Sequence, residues 1–305
     1  MATAAEVKRL GDIAVVTHTV ERLAAVEAAW DRYLGYRTVA RGALSADLCA
    51  AWKAPAAVGR PWCLMGPASG EPVYLRFIET GRAGGHAPPA TWGWSATELL
   101  VEDPDTLARR LDDSPFRRLG GPGDLYPWER APRAMQVRGP AGELLYLTRI
   151  LPNGSRYGMK GARSAVDRVF IVTVGGPSLA AMHEFYGGHL GQRVIERAAI
   201  INGILAHDCG VPPMTRFASS IVRIPGRRFL IELDELPASV GPRARAAGDL
   251  PPGMAVVSFH AQTLEGLAPR APPRAILEPP YAGRRVAVVA GPAGEWLELI
   301  ETGSG

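Results

Sequence analysis

Cysteine is scarce in this chain of 305 residues: Cys49, Cys63 and Cys209 show neither metal nor disulfide spacing. No apolar run is long enough to cross a bilayer and no signal peptide is legible. No membrane partner is therefore expected, and the chain reads as a reduced, cytoplasmic protein. Basic stretches with interleaved aromatics are also missing. With a net charge of only +4 and arginines scattered among alanine and proline, nucleic acid is not an expected partner. What is present is a hydrophobic fraction of 47% with 21% charged residues, the profile of a folded chain with room for two domains.

The chain repeats itself. Gly139-Pro-Ala-Gly-Glu-Leu-Leu-Tyr-Leu147 returns 152 residues later as Gly291-Pro-Ala-Gly-Glu-Trp-Leu-Glu-Leu299. Leu34-Gly35-Tyr-Arg-Thr-Val39 is echoed 156 residues on by Leu190-Gly191-Gln-Arg-Val-Ile195. About half of the chain is thus duplicated in tandem. A finer repeat lies inside each half: Leu75-Arg-Phe-Ile-Glu-Thr-Gly81 matches Leu297-Glu-Leu-Ile-Glu-Thr-Gly303, and Phe229-Leu-Ile-Glu-Leu-Asp-Glu235 fits the same frame. Four quarter-units each end in a strand. Strand alternation puts Leu75/Phe77, Leu145/Leu147, Ile231/Leu233 and Leu297/Leu299 on one face, suited to packing on helices. The other face presents Arg76, Tyr146, Glu232 and Glu298.

The patterns predict a strand at 12–17 and a helix at 21–34, where Leu23, Val26, Trp30 and Leu34 recur at helical spacing and Gly35 closes the turn. Strands follow at 37–40, 62–65 and 73–78, with 42–61 as a lid or a helical insert. The second unit has a strand at 94–101, a helix at 104–111 capped by Asp103, and three more strands up to 150. The second half repeats this plan, with helices at 178–190 and near 263–268. The expected fold class is α+β: four tandem βαβββ units in two domains, 10–151 and 166–303, joined by a linker at 152–165.

The helix endings Trp30-Asp-Arg-Tyr-Leu-Gly35 and Phe185-Tyr-Gly-Gly-His-Leu-Gly191 carry a family resemblance, as does the Gly-Pro-x-Gly-x-x-x-Glu-Leu strand. With four βαβββ units in two pairs, the chain resembles the vicinal oxygen chelate superfamily, which includes glyoxalase I, bleomycin-resistance proteins, methylmalonyl-CoA epimerase and extradiol dioxygenases. The resemblance implies that each pair of units curves into a cup. It also implies a metal held on the first and last strands, usually by histidine and glutamate. The first strands offer Asp12, Ala96, Arg168 and Val256, and the last strands Arg76, Tyr146, Glu232 and Glu298. Neither half supplies the two histidines and one carboxylate of a non-haem iron site.

A carboxylate between Trp296 and Ile300 needs a reason to be there. Glu298 is therefore the leading candidate for a general base, with Glu232 as its partner acid and Arg168 or His260 stabilising an oxyanion. The bland counterpart is a structural ion pair between Glu298 and Arg168. Ser258, His207, Asp12, Arg76, Glu98 and Tyr146 are candidate substrate contacts, the first-half residues of this set alternatively forming a self-satisfied polar cluster. Trp92, Trp94 and Trp128 read as core or dimer contacts, so a homodimer is among the expectations. The expected function is proton abstraction next to a carbonyl of a small oxygenated molecule, in an isomerase or lyase reaction with no cofactor favoured. One alternative is a divalent-metal enzyme using Glu232, His260 and Glu298. Another is a small-molecule-binding or drug-sequestering protein without chemistry.

Overall fold

The computed structural model describes residues 9–81, 91–151 and 158–303. The first unit comprises β1 (Ile13–Val20), α1 (Leu23–Ala29), β2 (Arg37–Ala43), α2 (Ala46–Trp52), β3 (Pro61–Gly66) and β4 (Tyr74–Glu79). The second comprises β5 (Gly93–Val101), α3 (Pro104–Leu111), β6 (Arg117–Asp124), β7 (Arg133–Arg138) and β8 (Leu144–Arg149). The third runs through β9 (Val166–Gly176), α4 (Leu179–His183), β10 (Arg193–Glu196), β11 (Ile200–Ile201), α5 (Gly203–Asp208), β12 (Arg216–Phe217), β13 (Ser219–Arg223) and β14 (Leu230–Glu235). The fourth holds β15 (Met254–Ala261), β16 (Arg274–Ala275), β17 (Arg285–Ala290) and β18 (Trp296–Glu301). The helix expected near 263–268 is a turn instead. Among the described residues no helix is long and apolar enough to cross a membrane.

The units form two mixed sheets of eight strands, and neither sheet follows a half of the sequence. One runs β16-β17-β18-β15-β1-β4-β3-β2, joining the first unit to the fourth. The other runs β10-β13-β14-β9-β5-β8-β7-β6, joining the third unit to the second. The expectation that sequential units share a cup is therefore corrected. The repeat gives every unit the same free first strand, and β1 pairs antiparallel with β15 as β5 does with β9. Of the expected linker, 152–157 lie outside the described residues.

The duplication survives in small details. α1 and α4 each run on into a π-helical turn, Trp30–Leu34 and Glu184–His189. In the two Gly-Pro-Ala-Gly turns the second glycine, Gly142 or Gly294, has a positive φ, of 85° and 77°. At the first glycine a side chain would collide with the carboxyl group of Glu143 or Glu295, which folds back over the turn. Glu143 accepts hydrogen bonds from Trp30 Nε1 (2.9 Å) and the Ala141 amide (2.8 Å). Glu295 accepts from Tyr186 OH (3.0 Å) and the Ala293 amide (2.8 Å). Each buried carboxyl thus pins the helix of the preceding unit to its own turn. Burial pushes both up to about 7, against the pull of those hydrogen bonds.

One continuous core lies on the helix side of both sheets. It contains Leu75, Phe77, Leu145, Leu147, Ile231, Leu233, Leu297 and Leu299, the set that strand alternation assigned to that face. The opposite face of each sheet is a cup, and the two cups differ.

Candidate functional site

The first cup, on the β1–β4/β15–β18 sheet, is filled. The 42–61 segment is a helical insert whose N-cap, Ser45, accepts from the Leu48 amide at 3.1 Å and donates to Glu278 at 2.8 Å. α2 drives Leu48, Cys49 and Trp52 into the cup beside Val15, Leu64, Val288 and Ile300. An Arg60–Asp249 pair (2.5 and 2.8 Å) ties the insert down. Glu298, fully buried, sits under this plug. It accepts hydrogen bonds from Trp52 Nε1, from Ser258 Oγ at 2.6 Å and from Tyr281 OH at 2.9 Å. Arg76 donates to the same Tyr281 hydroxyl at 2.8 Å and lies against the rings of Trp52, Trp62 and Tyr281. The Arg76–Tyr281–Glu298 chain is buried and sealed, and Arg76 reaches Glu298 only through Tyr281, its Nε and Nη2 making no hydrogen bond among the described residues. It gives Glu298 no open space in which to meet a substrate.

The second cup, on the β5–β8/β9–β14 sheet, is open. Two adjoining cavities of about 780 and 620 Å³ share Glu98, Leu125, Tyr126, Arg197, Ile200 and Glu232. Glu98 (β5) and Tyr146 (β8) are cross-strand partners on its floor, and Gln136 (β7) continues the row. Thr148 Oγ1 donates to Glu98 at 2.5 Å. Glu232 is paired with Arg197 at 2.8 Å, and Arg197 also donates to Ser219. Asn202, the N-cap of α5, gives its side-chain amide to Tyr146 OH at 2.9 Å. Burial pushes Glu98 up to about 8; the Thr148 hydrogen bond opposes this and the Glu232 charge adds to it. Asp234, two residues beyond Glu232 on the same strand face, also rises to about 8, mainly through burial and then through Glu232. The cavity floor thus combines one carboxyl group that holds its proton near neutrality, Glu98, with one that neutralises an arginine, Glu232, while Asp234 lies buried beside them outside the lining.

This geometry separates the residues that the sequence grouped. Glu298, Ser258 and His260 belong to the first cup, Glu232 to the second, so they form neither an acid–base pair nor a metal triad. Arg76 and Asp12 are likewise split from Glu98 and Tyr146. Asp12 lies 3.9 Å from Arg228 before β1 begins, not on a cup floor. Arg168 donates to the Arg228 carbonyl at 2.9 Å and lies over the Phe229 ring, away from Glu298. The cause is a matched pair of β-bulges. Ile13 and Val15 pair with Phe259 and Ser258, while Leu99 and Glu98 pair with Val169 and Ile171. Ala14 and Phe170 are therefore the extra residues, and each shifts the phase of its strand so that Val15 and Ile171 face the cups. His260 stays at the rim of the first cup, half-buried, with Nδ1 unpartnered, and burial holds it below its usual range. His207 lines the second cavity from the end of α5, beside Asp208 at 3.1 Å.

Several lining residues were not anticipated: Arg197, Asn202, Gln136, Arg138 and the stacked pair Tyr126–Trp128, with ring centroids 4.1 Å apart. Alternation alone places Asp234 with Glu232, and Asn202 ahead of a short helix is a capping signal. Trp94 is core, its indole donating to the Trp296 carbonyl at 2.8 Å.

Glyoxalase I from Zea mays superposes with a TM-score of 0.61 at 12% identity, covering 95% of this chain and 92% of that one. A putative dioxygenase from Bacillus subtilis gives 0.60 at 13%, covering 97% and 86%. The fold is that of the vicinal oxygen chelate superfamily. No protein-family profile matches the sequence, and no curated protein matches it. The metal implied by this fold does not fit the residues present. In the sealed cup the oxygens of Glu298 are taken by Trp52, Ser258 and Tyr281, with the Arg76 cation beside them, while in the open one Glu232 already holds Arg197. Among the described residues no group of three His, Cys, Asp or Glu side chains is arranged to hold an ion.

Proposed function

We propose that the second cup binds a small oxygenated organic molecule and moves a proton next to its carbonyl, as an isomerase or lyase would. The observation that carries this reading is Glu98: a half-buried carboxyl, pushed up to about 8, on the floor of the open cavity. A group with a pKa near neutrality both takes and returns protons efficiently. In its ionised form Glu98 abstracts the C–H proton, and the electron pair moves onto the carbonyl oxygen. Tyr146, which accepts from Asn202 and keeps its own proton, donates to that developing oxyanion. The Glu98 carboxylic acid then returns the proton to the same or a neighbouring carbon.

The test is hydrogen exchange in D2O with a panel of aryl- and alkyl-substituted oxo acids, followed by NMR. Exchange next to the carbonyl is expected, with a rate that rises with pH through about 8 as Glu98 ionises. Glu98→Gln keeps the shape of the site and is expected to slow exchange by roughly 100- to 10,000-fold. Saturable binding with no exchange in any member would replace the catalytic reading with a binding protein.

A further inference from the structure

The strand register gives the open cup a direction. Glu98, Tyr146, Gln136 and Gly120 form one row across β5, β8, β7 and β6. Two residues along the strands in one direction, the next row carries Leu144, Arg138 and Arg117. At 3.3–3.4 Å per residue, these arginines lie about 7 Å from the Glu98 row. In the other direction the cup face turns apolar, with Leu100 and Ile150 grading into Met159, Phe170, Ile171, Ile221 and Leu230.

Arg117 and Arg138 are direct cross-strand neighbours, and like charges in that relation repel. Arg138 is held by Asp208 at 2.6 Å, which also faces His207. Arg118, beside them in the lining, reaches Asp112 at 3.0 Å. Arg117 is exposed to the cavity and makes no ion pair among the described residues. A ligand anion is what this row lacks. The cavity at the other end, about 620 Å³, is lined mainly by apolar side chains; of its charged residues Glu98, Arg197 and Glu232 lie where the two cavities meet, and Glu196 is largely exposed to solvent.

We infer that the ligand is an elongated organic acid that lies along the strands. Its carboxylate meets Arg117 and Arg138, its carbonyl lies over the Glu98 row, and its alkyl or aryl end sits among Met159, Phe170 and Leu230. The inference rests on the placement of the site in the second cup and adds the substrate class. The 7 Å spacing sets the carboxylate roughly four to six bonds from the reacting carbon. No neutral sugar, nucleotide or polyphosphate satisfies both ends of such a cleft: the first lacks the charge, and the others lack the apolar body.

The experiment is isothermal titration calorimetry with 5-oxo-6-phenylhexanoate, its primary amide, and 5-oxohexanoate, which lacks the ring. The wild-type protein is expected to bind the phenyl acid about tenfold tighter than its amide, the worth of a charged hydrogen-bonded pair. Arg117→Gln is expected to weaken the acid to the level of the amide while leaving the amide unchanged. Loss of the phenyl ring should cost a further tenfold or more, and Ile195→Trp, which fills the apolar chamber, should remove that advantage while leaving 5-oxohexanoate unaffected. Equal binding of acid and amide overturns the inference, as does an equal loss of both in Arg117→Gln, or no saturable binding of the acid at all. Glu98→Gln serves as the separate arm. It should keep both affinities within a few-fold, so failure of the proton-transfer reading and failure of this one give different results.

Discussion

In the first cup the inward positions of the last strands carry Arg76 and Glu298; in the second they carry Tyr146 and Glu232. The first pair is complementary and has been closed over by α2, whose Trp52 indole completes the shell of Glu298. The second pair cannot neutralise itself. Glu232 borrows Arg197 from the segment after β10, and Glu98 is left to hold a proton. The same scaffold thus becomes core where α2 covers its polar residues, even with Arg76 Nε and Nη2 left unpartnered among the described residues, and a cavity where no helix plugs the cup. A buried carboxylate on a cup floor does not reveal its role by position alone. Where the corresponding inserts pack decides: the helix of 44–60 drives its side chains into the first cup. The longer 197–218 insert instead packs Leu205, Ala206 and Phe217 against Leu236 and Val240 and only walls the second cavity, with Asn202 reaching Tyr146.

The sharpest break in this comparison is the pair of glutamine variants. Glu98→Gln should abolish most hydrogen exchange, up to 10,000-fold, and leave the melting temperature nearly unchanged. Glu298→Gln should do the reverse. Next in size is Trp52→Ala, which removes a buried ring and one donor to Glu298 and should cost about 3–5 kcal/mol in denaturant titrations. Exchange catalysis at the second cup should survive it at temperatures where the variant stays folded. Glu298→Gln itself should cost about 3 kcal/mol, because Trp52, Ser258 and Tyr281 lose their charged acceptor inside the core. Unaltered stability would contradict the sealed-network description.

The smallest effect is on pH. Glu143 and Glu295 are raised to about 7, and Glu98 and Asp234 to about 8. Folded carboxyl groups that hold protons more tightly than the unfolded chain stabilise the fold at low pH, and this is lost as pH rises through their folded values. Below about 6.5 the buried, neutral His18, pulled down to about 3 by burial, works in the opposite sense. The clean window is therefore pH 6.5 to 8, where stability should fall by at most about 1.4 kcal/mol per pH unit for each group still protonated. Thermal melts of the wild type and of the Glu143→Gln/Glu295→Gln double variant check this, and the double variant should show the shallower slope.

The repeats made the fold and its core face readable, because period-two alternation is a local property that survives duplication. Leu75, Leu145, Ile231 and Leu297 needed no long-range information to be placed. Asp12 and Arg168 were misplaced because a bulge at Ala14 or Phe170 leaves no local mark in an apolar run such as Ile13-Ala-Val-Val16. Which units share a sheet was illegible too, since four copies of one motif carry the same pairing signal. That pairing decides whether Glu298 and Glu232 can meet. Glu98 was legible as inward-facing but not as central, because its neighbours Arg197 and Asn202 come from a different unit.

The nested pairing of the units also bears on how the chain assembles and comes apart. The open cup is contiguous along the backbone, built between Gly93 and Glu235, whereas the filled cup must join the first unit to the last. Its closure therefore awaits synthesis of the fourth unit and carries the larger loop-closure cost. Gly11 bonds to the His260 carbonyl and Thr302 to that of Ala261, so both extremities of the described chain are anchored on the end of one strand, β15. Pulled by those ends, the molecule would open first at this clasp, and the inner sheet with its cavity would come under load only afterwards.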